Sequence, residues 1–334
     1  MERKNKREIY LSKDNTDCLK GIFALCVLLH HLYQSSGLFG HSILGGILQY
    51  LGFWSVAIFF FLSGYGLFFS YKRKEQEYIH SFPRKRILPF YLIICFLILV
   101  YGAERLLLSQ ELPLTLLIKS LTLGDTVIGN GWYLQVQLLL YLLFYVFYKW
   151  IKRRQVQFIA LSAGVAIYAV TMLLLGFSDN WFITVFAFLV GVLWAMHKEA
   201  IDDFIEKSGH RYATLAVVAL LFCALTLVGT ALLQDNIAGK LALIFSMILF
   251  VVTVILVLYD IPINCAVTRF LGKISLEIYV SQGLFLILFR SNMLYIANPW
   301  LYSLAVALST FALACIFHIP FKKVYALCAK RKAK

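Results

Sequence analysis

The segment DCLKGIFALCVLLHH, residues 17–31, places two adjacent imidazoles and an acid–base couple in an otherwise apolar run. On a helix of 3.6 residues per turn, the 11 positions from Lys20 to His31 are about 20° more than three full turns, so both share one face about 16 Å apart. Asp17 lies three residues before Lys20 on the same face, where an ion pair is expected at the mouth of the run. His30 points about 100° away. A histidine removed from water favours its uncharged form, and an uncharged imidazole can take a proton from a hydroxyl. The chemistry within reach is general-base catalysis at His31. The competing reading, for His30 and His31 alike, is a hydrogen bond between helices.

Whatever positions these groups lies in a bilayer. Of 334 residues, 61% are hydrophobic and only 14% charged, and mean hydropathy is +0.80, far from the composition of a soluble domain. Apolar runs of about 20 residues recur, each long enough to cross a hydrocarbon core of ~30 Å as a helix. About ten spans are expected, near 18–34, 46–70, 87–108, 131–150, 156–175, 180–196, 212–233, 239–258, 271–289 and 297–319. The runs lack the alternation of a transmembrane barrel, so the expected fold is an all-α polytopic membrane protein. It divides into a cytoplasmic segment 1–17, one transmembrane domain 18–319 and a basic tail 320–334. The basic N-terminal segment has no small-residue cleavage site after its apolar run, so that run is expected to be retained as the first span. The segment Gly102 to Gly131 is too long for a simple turn, and its short apolar stretch reads as an interfacial or re-entrant helix.

The formal net charge of +14 raises the question of nucleic acid, and the distribution of charge answers it. With the N-terminus in the cytoplasm, 27 of the 31 lysines and arginines fall on that side and only Arg105, Lys119, Lys240 and Arg290 fall outside. That asymmetry is the positive-inside pattern for an even number of spans with both termini cytoplasmic. Basicity therefore reports orientation, with the anionic lipid of the bilayer as partner and no nucleic acid. The seven cysteines show neither a disulfide framework nor a CxxC metal spacing.

Several segments carry a resemblance. DCLKGIFALCVLLHH resembles the first span of the acyltransferase-3 family, bacterial integral-membrane acyltransferases whose signature there is an arginine, ten residues and a histidine. Lys20 stands where that arginine usually stands; it keeps the charge without the planar fork. GFWSVAIFFFLSGYGLFFS is similar to the second span, with Leu62, Ser63 and Gly64 as its Leu-Ser-Gly. FPRKRILPFY is similar to the basic approach to the third, where Arg86 and Pro89 match an arginine-to-proline element. NGWYLQVQLLLYLL resembles the Trp-led span, with Gln137 at a position that some branches give to glutamate. LGKISLEIYVSQGLF resembles the penultimate span, with Gln282 at a position that is often histidine.

The resemblance implies an O-acyltransferase of the bacterial cytoplasmic membrane. It would move an acyl group, commonly acetyl, from cytoplasmic acyl-CoA to a hydroxyl of a cell-surface glycan or exopolysaccharide, without a metal. Lys20 and the cluster Arg84, Lys85 and Arg86 would meet the coenzyme's phosphates. His31 would act as general base or carry the acyl group, with Lys20 and Asp17 completing the catalytic set. Gln135, Gln137, Ser281 and Gln282 would line the cavity, with His30 and Ser63 also near the acceptor. Trp132 is either an interfacial anchor or a stacking platform for a sugar ring. Their bland counterparts are helix-to-helix hydrogen bonds and, for Ser63 with Gly64, close helix packing. Glu277 is expected to pair with Lys273 at i, i+4, and His41, His80, His197, His210 and His318 sit at span ends with no special role. Two other classes compete: a glycan or lipid transporter, and an inactive partner of polysaccharide-biosynthesis proteins.

Overall fold

The structure is a computed structural model that describes residues 3–40, 42–207, 211–231 and 236–330. His41, His210 and the tail 331–334 lie outside the described residues. The fold is all-helical. In chain order the helices are α1 (Arg3–Ile9), α2 (Lys13–Ser36), α3 (Ile43–Phe82), α4 (Leu88–Leu107), α5 (Leu114–Leu121), α6 (Trp132–Trp150) and α7 (Arg154–Leu174). There follow α8 (Phe186–Met196), α9 (Lys198–Lys207), α10 (Arg211–Ala231), α11 (Ile237–Asp260), α12 (Ala266–Lys273), α13 (Ser275–Leu288) and α14 (Pro299–Ala329).

Among the described residues, six helical stretches are long and apolar enough to cross a membrane, or seven if α12 with α13 counts as one bent span. This count, by length and apolarity alone, stands below the expected ten, and the reasons are visible in the residues. The runs expected at 46–70 and 87–108 fall in one stretch, Ile43–Leu107, through the π-helical turn Pro83–Ile87. The runs at 18–34 and 131–150 are helical, as α2 and α6, but Lys20, His30 and His31 in one and Gln135 and Gln137 in the other reduce their apolarity. The side chains that invite chemistry are the ones that weaken the membrane signal. α5 has eight residues, about 12 Å at 1.5 Å per residue, far short of a crossing.

The chain forms two compact units: Met1–Phe23, Phe53–Tyr78 and Trp150–Gly272 make the first, and Ala24–Gly52, Ile79–Lys149 and Lys273–Lys334 the second. In the first, helices meet where glycine removes the side chain. A Cβ on Gly64 would stand 2.1 Å from the Phe188 carbonyl oxygen, and one on Gly191 2.1 Å from that of Phe61, so α3 and α8 touch backbone to backbone. Gly21 and Gly272 do the same for α2 against α12, over Thr268 and Asp17. α3 breaks at Glu75, whose φ of 43° is left-handed and whose carboxylate meets Arg154 at 2.7 Å. The break falls where the apolar run gives way to Lys72, Arg73 and Lys74.

The N-terminal segment of this unit is held by a polar network. The Tyr10 hydroxyl donates to Asp202 at 2.7 Å and accepts from the Trp194 indole at 3.0 Å, and Lys198 reaches both Asp202 and the Arg7 carbonyl. Burial pushes the Tyr10 phenol well up, so it remains a donor. Arg7 forks onto Glu206 at 2.7 and 2.6 Å, and Tyr259 donates to the same carboxylate. In the second unit the core is aromatic and aliphatic: Phe82 stacks on Tyr145, and Leu28 and Leu32 of α2 pack with Phe289, Tyr302 and Val306.

The glycine contacts give a stability test. Gly64→Ala or Gly191→Ala will cost about 1–3 kcal/mol by overpacking and lower the thermal midpoint of the detergent-solubilised protein. Gly66→Ala, with nothing near its added methyl, will leave the midpoint unchanged or slightly raised.

Candidate functional site

Within the second unit, the end of α2 and the start of α3 lodge the paired histidines. His30 Nδ1 lies 2.8 Å from the Leu48 carbonyl oxygen, which can only accept, so Nδ1 carries the proton. The ring has room because the residue beside it is Gly52, where a Cβ would come within 2.4 Å of His30 Cδ2. His30 is thereby committed to the backbone. His31, its ring centroid 5.1 Å from that of His30, is also buried, but its Nδ1 has no hydrogen-bond partner among the described residues.

The facing element is α13, whose residues Glu277 to Leu284 are all buried. Tyr279 stands 6.4 Å from the His31 ring, centroid to centroid, and the Gln282 side chain is placed against that ring. Gln282 Nε2 donates to the Tyr279 carbonyl at 3.1 Å, whereas Gln282 Oε1 and the Ser281 hydroxyl, both fully buried, have no partner among the described residues. Three polar atoms are therefore withheld from hydrogen bonding on α2 and α13. Each such atom costs about 1–3 kcal/mol when left unpaired, which a ligand carrying donors and acceptors would recover.

α13 is fixed by its neighbours. The Tyr101 hydroxyl of α4 donates to the Val280 carbonyl at 2.7 Å, and Gly283 leaves it space: a Cβ there would come within 2.3 Å of that oxygen. Gly283 also touches Gly129 backbone to backbone, and the Tyr279 hydroxyl donates at 2.7 Å to the carbonyl of Asn130, a residue in the left-handed region at φ 57°. The segment before α6 thus clasps α13 beside the histidine. Tyr133 lies tilted against Tyr279 at 5.1 Å, and Trp132 meets Tyr133 edge-on at 6.2 Å, so an aromatic wall runs from His31 to the start of α6. An imidazole nitrogen with no partner, next to amide and hydroxyl groups and an aromatic wall, can accept a proton from a bound alcohol and hold the alcohol's ring.

Of the residues singled out by sequence, the structure brings together His30, His31, Ser281 and Gln282, with Trp132 at the end of the wall. Gln137 is buried on α6. Gln135 acts locally, its Nε2 donating to the Lys119 and Ser120 carbonyls and its Oε1 accepting from the Gly124 amide, which closes the loop after α5. It also borders a largely apolar cavity of about 500 Å³ with Ile87, Tyr91, Thr122, Leu123 and Leu139. Arg84 caps α14, donating to the Cys328 carbonyl at 2.9 Å and to that of Lys330. Lys85 and Arg86 are exposed beside it. Asp17, Lys20 and Ser63 belong to the first unit: Lys20 meets Asp17 at 3.0 Å, as expected, and Ser63 is half-buried next to Gly64. One expectation is corrected. Glu277 pairs with His318, Oε1 to Nδ1 at 2.9 Å, instead of with Lys273, because its side chain turns into the contact between α13 and α14.

Sequence reading missed Tyr101, Tyr279, Gly52 and Gly283, which position the site. Glycines inside apolar runs and the IGNG turn before Trp132 were the available signal, and they name a close approach without naming its partner.

The clamp at Gln135 is open to test. Gln135→Ala will speed amide exchange at Gly124 about fivefold, the worth of one hydrogen bond, and hydrogen-exchange mass spectrometry of the loop after α5 reads it.

Among the described residues, no group of three or more His, Cys, Asp or Glu is placed to hold a metal ion. No curated protein and no solved structure matches the chain. The sequence model of the acyltransferase-3 family, described as an acyltransferase domain, matches residues 14–319, nearly the whole length and every helix of the site. The chain belongs to the acyltransferase-3 family and is a multi-pass membrane acyltransferase.

Proposed function

We propose that the protein is an O-acyltransferase of the bacterial cytoplasmic membrane, with both termini cytoplasmic. It takes an acyl group, acetyl in the simplest case, from acyl-CoA and places it on a hydroxyl of a cell-surface glycan or exopolysaccharide. The observation that carries this reading is the unpartnered His31 Nδ1 beside the unpartnered Gln282 Oε1 and Ser281 hydroxyl. They are the groups an alcohol and a thioester need.

In the proposed reaction His31 Nδ1 accepts the hydroxyl proton as the alcohol oxygen attacks the thioester carbonyl. The attack gives a tetrahedral intermediate at the thioester carbon. The C–S bond then breaks, the ester remains on the sugar, and the thiolate leaves with the proton from the imidazolium. Trp132 and Tyr133 offer faces on which a sugar ring stacks. The exposed Lys85 and Arg86 supply cations for the coenzyme's phosphates, while Arg84 keeps its role at the end of α14.

His31→Ala will reduce ester formation by about 10²–10⁴-fold, the range for losing a general base; Lys85→Ala will lower it chiefly through the KM for acyl-CoA. Acetyl ester on the cell's glycans, quantified by mass spectrometry after mild alkali release, is the measurement. Full acylation in both variants would refute the proposal.

A further inference from the structure

The Glu277–His318 pair lies outside the chemistry just described, and three observations give it a role. First, Glu277 is buried and its carboxylate accepts from His318 Nδ1 at 2.9 Å, so His318 Nε2 is left as the ring's second hydrogen-bonding atom. Second, Ser281 sits one turn beyond Glu277 on the same face of α13, about 6 Å along the axis, and its buried hydroxyl has no partner among the described residues. Third, on α14, Tyr325 lies within electrostatic reach of both Glu277 and Arg86, and exposed Lys322 follows His318 by one turn. Polar groups therefore run in sequence through the second unit: Arg86 and Lys322, then His318 on Glu277, then Ser281, then Gln282 beside His31.

Resting on the acyl-CoA reading above, we propose that His318, oriented by Glu277, and Ser281 form a track that binds the pantetheine arm of the donor. That arm joins a cluster of phosphates to a thioester through two secondary amides. Cations stand at one end of the track and the base at the other. Between them, His318 Nε2 accepts from the distal amide N–H and the Ser281 hydroxyl donates to the carbonyl of the amide nearer the sulfur. In this assignment Glu277 is a positioning residue, because it acts only through the imidazole.

The test uses the purified full-length protein in nanodiscs with four acetyl donors: acetyl-CoA, S-acetylpantetheine, S-acetyl-N-acetylcysteamine and S-acetylpropanethiol. With acetyl-CoA and S-acetylpantetheine, His318→Ala and Ser281→Ala will each raise KM about tenfold, the worth of one hydrogen bond, and leave kcat within about twofold. With S-acetyl-N-acetylcysteamine, which keeps only the amide nearer the sulfur, Ser281→Ala will still be felt and His318→Ala will not. With S-acetylpropanethiol neither will matter. Glu277→Gln, which can still accept from Nδ1, will retain most of the affinity that Glu277→Ala loses. Equal effects on all four donors would make the pair a structural lock and overturn the track, as would an unchanged KM for acetyl-CoA. Ser281→Ala removes an unpartnered hydroxyl and keeps the test valid if the His318 variant folds poorly. A wild-type protein inert toward every thioester overturns the acyl-CoA reading itself.

Discussion

The site depends on one constraint: a polar ring inside an apolar bundle must be given either partners or a purpose. His30 is given a partner, the Leu48 carbonyl, through space that Gly52 leaves open. His31, the next residue, keeps a buried nitrogen unsatisfied. Two imidazoles with one covalent neighbourhood are thus driven to different fates by what faces them a helix turn away. The unsatisfied state persists because the surrounding elements cannot relax. α13 is tied by Tyr101 through Val280 and by Asn130 through Tyr279, which fixes the backbone that carries Ser281 and Gln282 beside the ring. Rigid packing is what allows polar atoms to be kept in reserve.

Much of this was legible in the sequence, and the boundary is physical. Helical runs announce themselves through length and apolarity, and the two histidines, Ser281 and Gln282 stand out because ionisable or amide groups are conspicuous in such runs. The exact number of crossings was less legible, because Lys20, His30, His31, Gln135 and Gln137, the polar residues a functional reading singles out, dilute the signal that defines a crossing. Partners across the fold were not legible at all. Glu277 has Lys273 at i, i+4, and only the packing of α13 on α14 reveals that His318, 41 residues away, takes it instead. Arg84 looks like an anion-binding cation by composition, yet α14 ends beside it with carbonyls that need donors. Gln135 and Gln137 are two residues apart on one helix; position relative to the loop after α5, invisible in sequence, turns the first into a clamp.

Small residues and tyrosines divide the labour of assembly. In the first unit Gly64, Gly191, Gly21 and Gly272 bring backbones together where lipid offers no hydrophobic drive for helices to associate. In the second, Gly52, Gly129 and Gly283 serve a narrower purpose. Gly52 opens space for the His30 ring, and Gly129 and Gly283 for each other and for Tyr101, whose hydroxyl makes a directed hydrogen bond to Val280. The first arrangement sets stability and the second sets geometry. A methyl added in either place is sterically similar, but only in the second does it move the groups that face the substrate.

The residue at 282 shapes how the proposed reaction must handle its proton. The family resemblance puts a histidine at this position in many chains, and two imidazoles there could share the work of taking the alcohol's proton and returning it to the thiolate. Glutamine cannot be protonated under ordinary conditions; it can only orient and stabilise. The proposed base is His31 and not His30, since the polar side chains of α13 are placed against the His31 ring, while the His30 ring is pinned through Nδ1 to Leu48 in the space that Gly52 leaves. His31 is then left to act twice in one cycle, as base toward the hydroxyl and as acid toward the departing sulfur. A single base is adequate for this exchange because a thiolate needs far less help to leave than an alkoxide, its conjugate acid having a pKa near ~8.5. The demand therefore falls on position: one nitrogen must reach first the alcohol and then the sulfur, and the clasp of α13 by Tyr101 and Asn130 holds Ser281 and the Gln282 amide still while it does so.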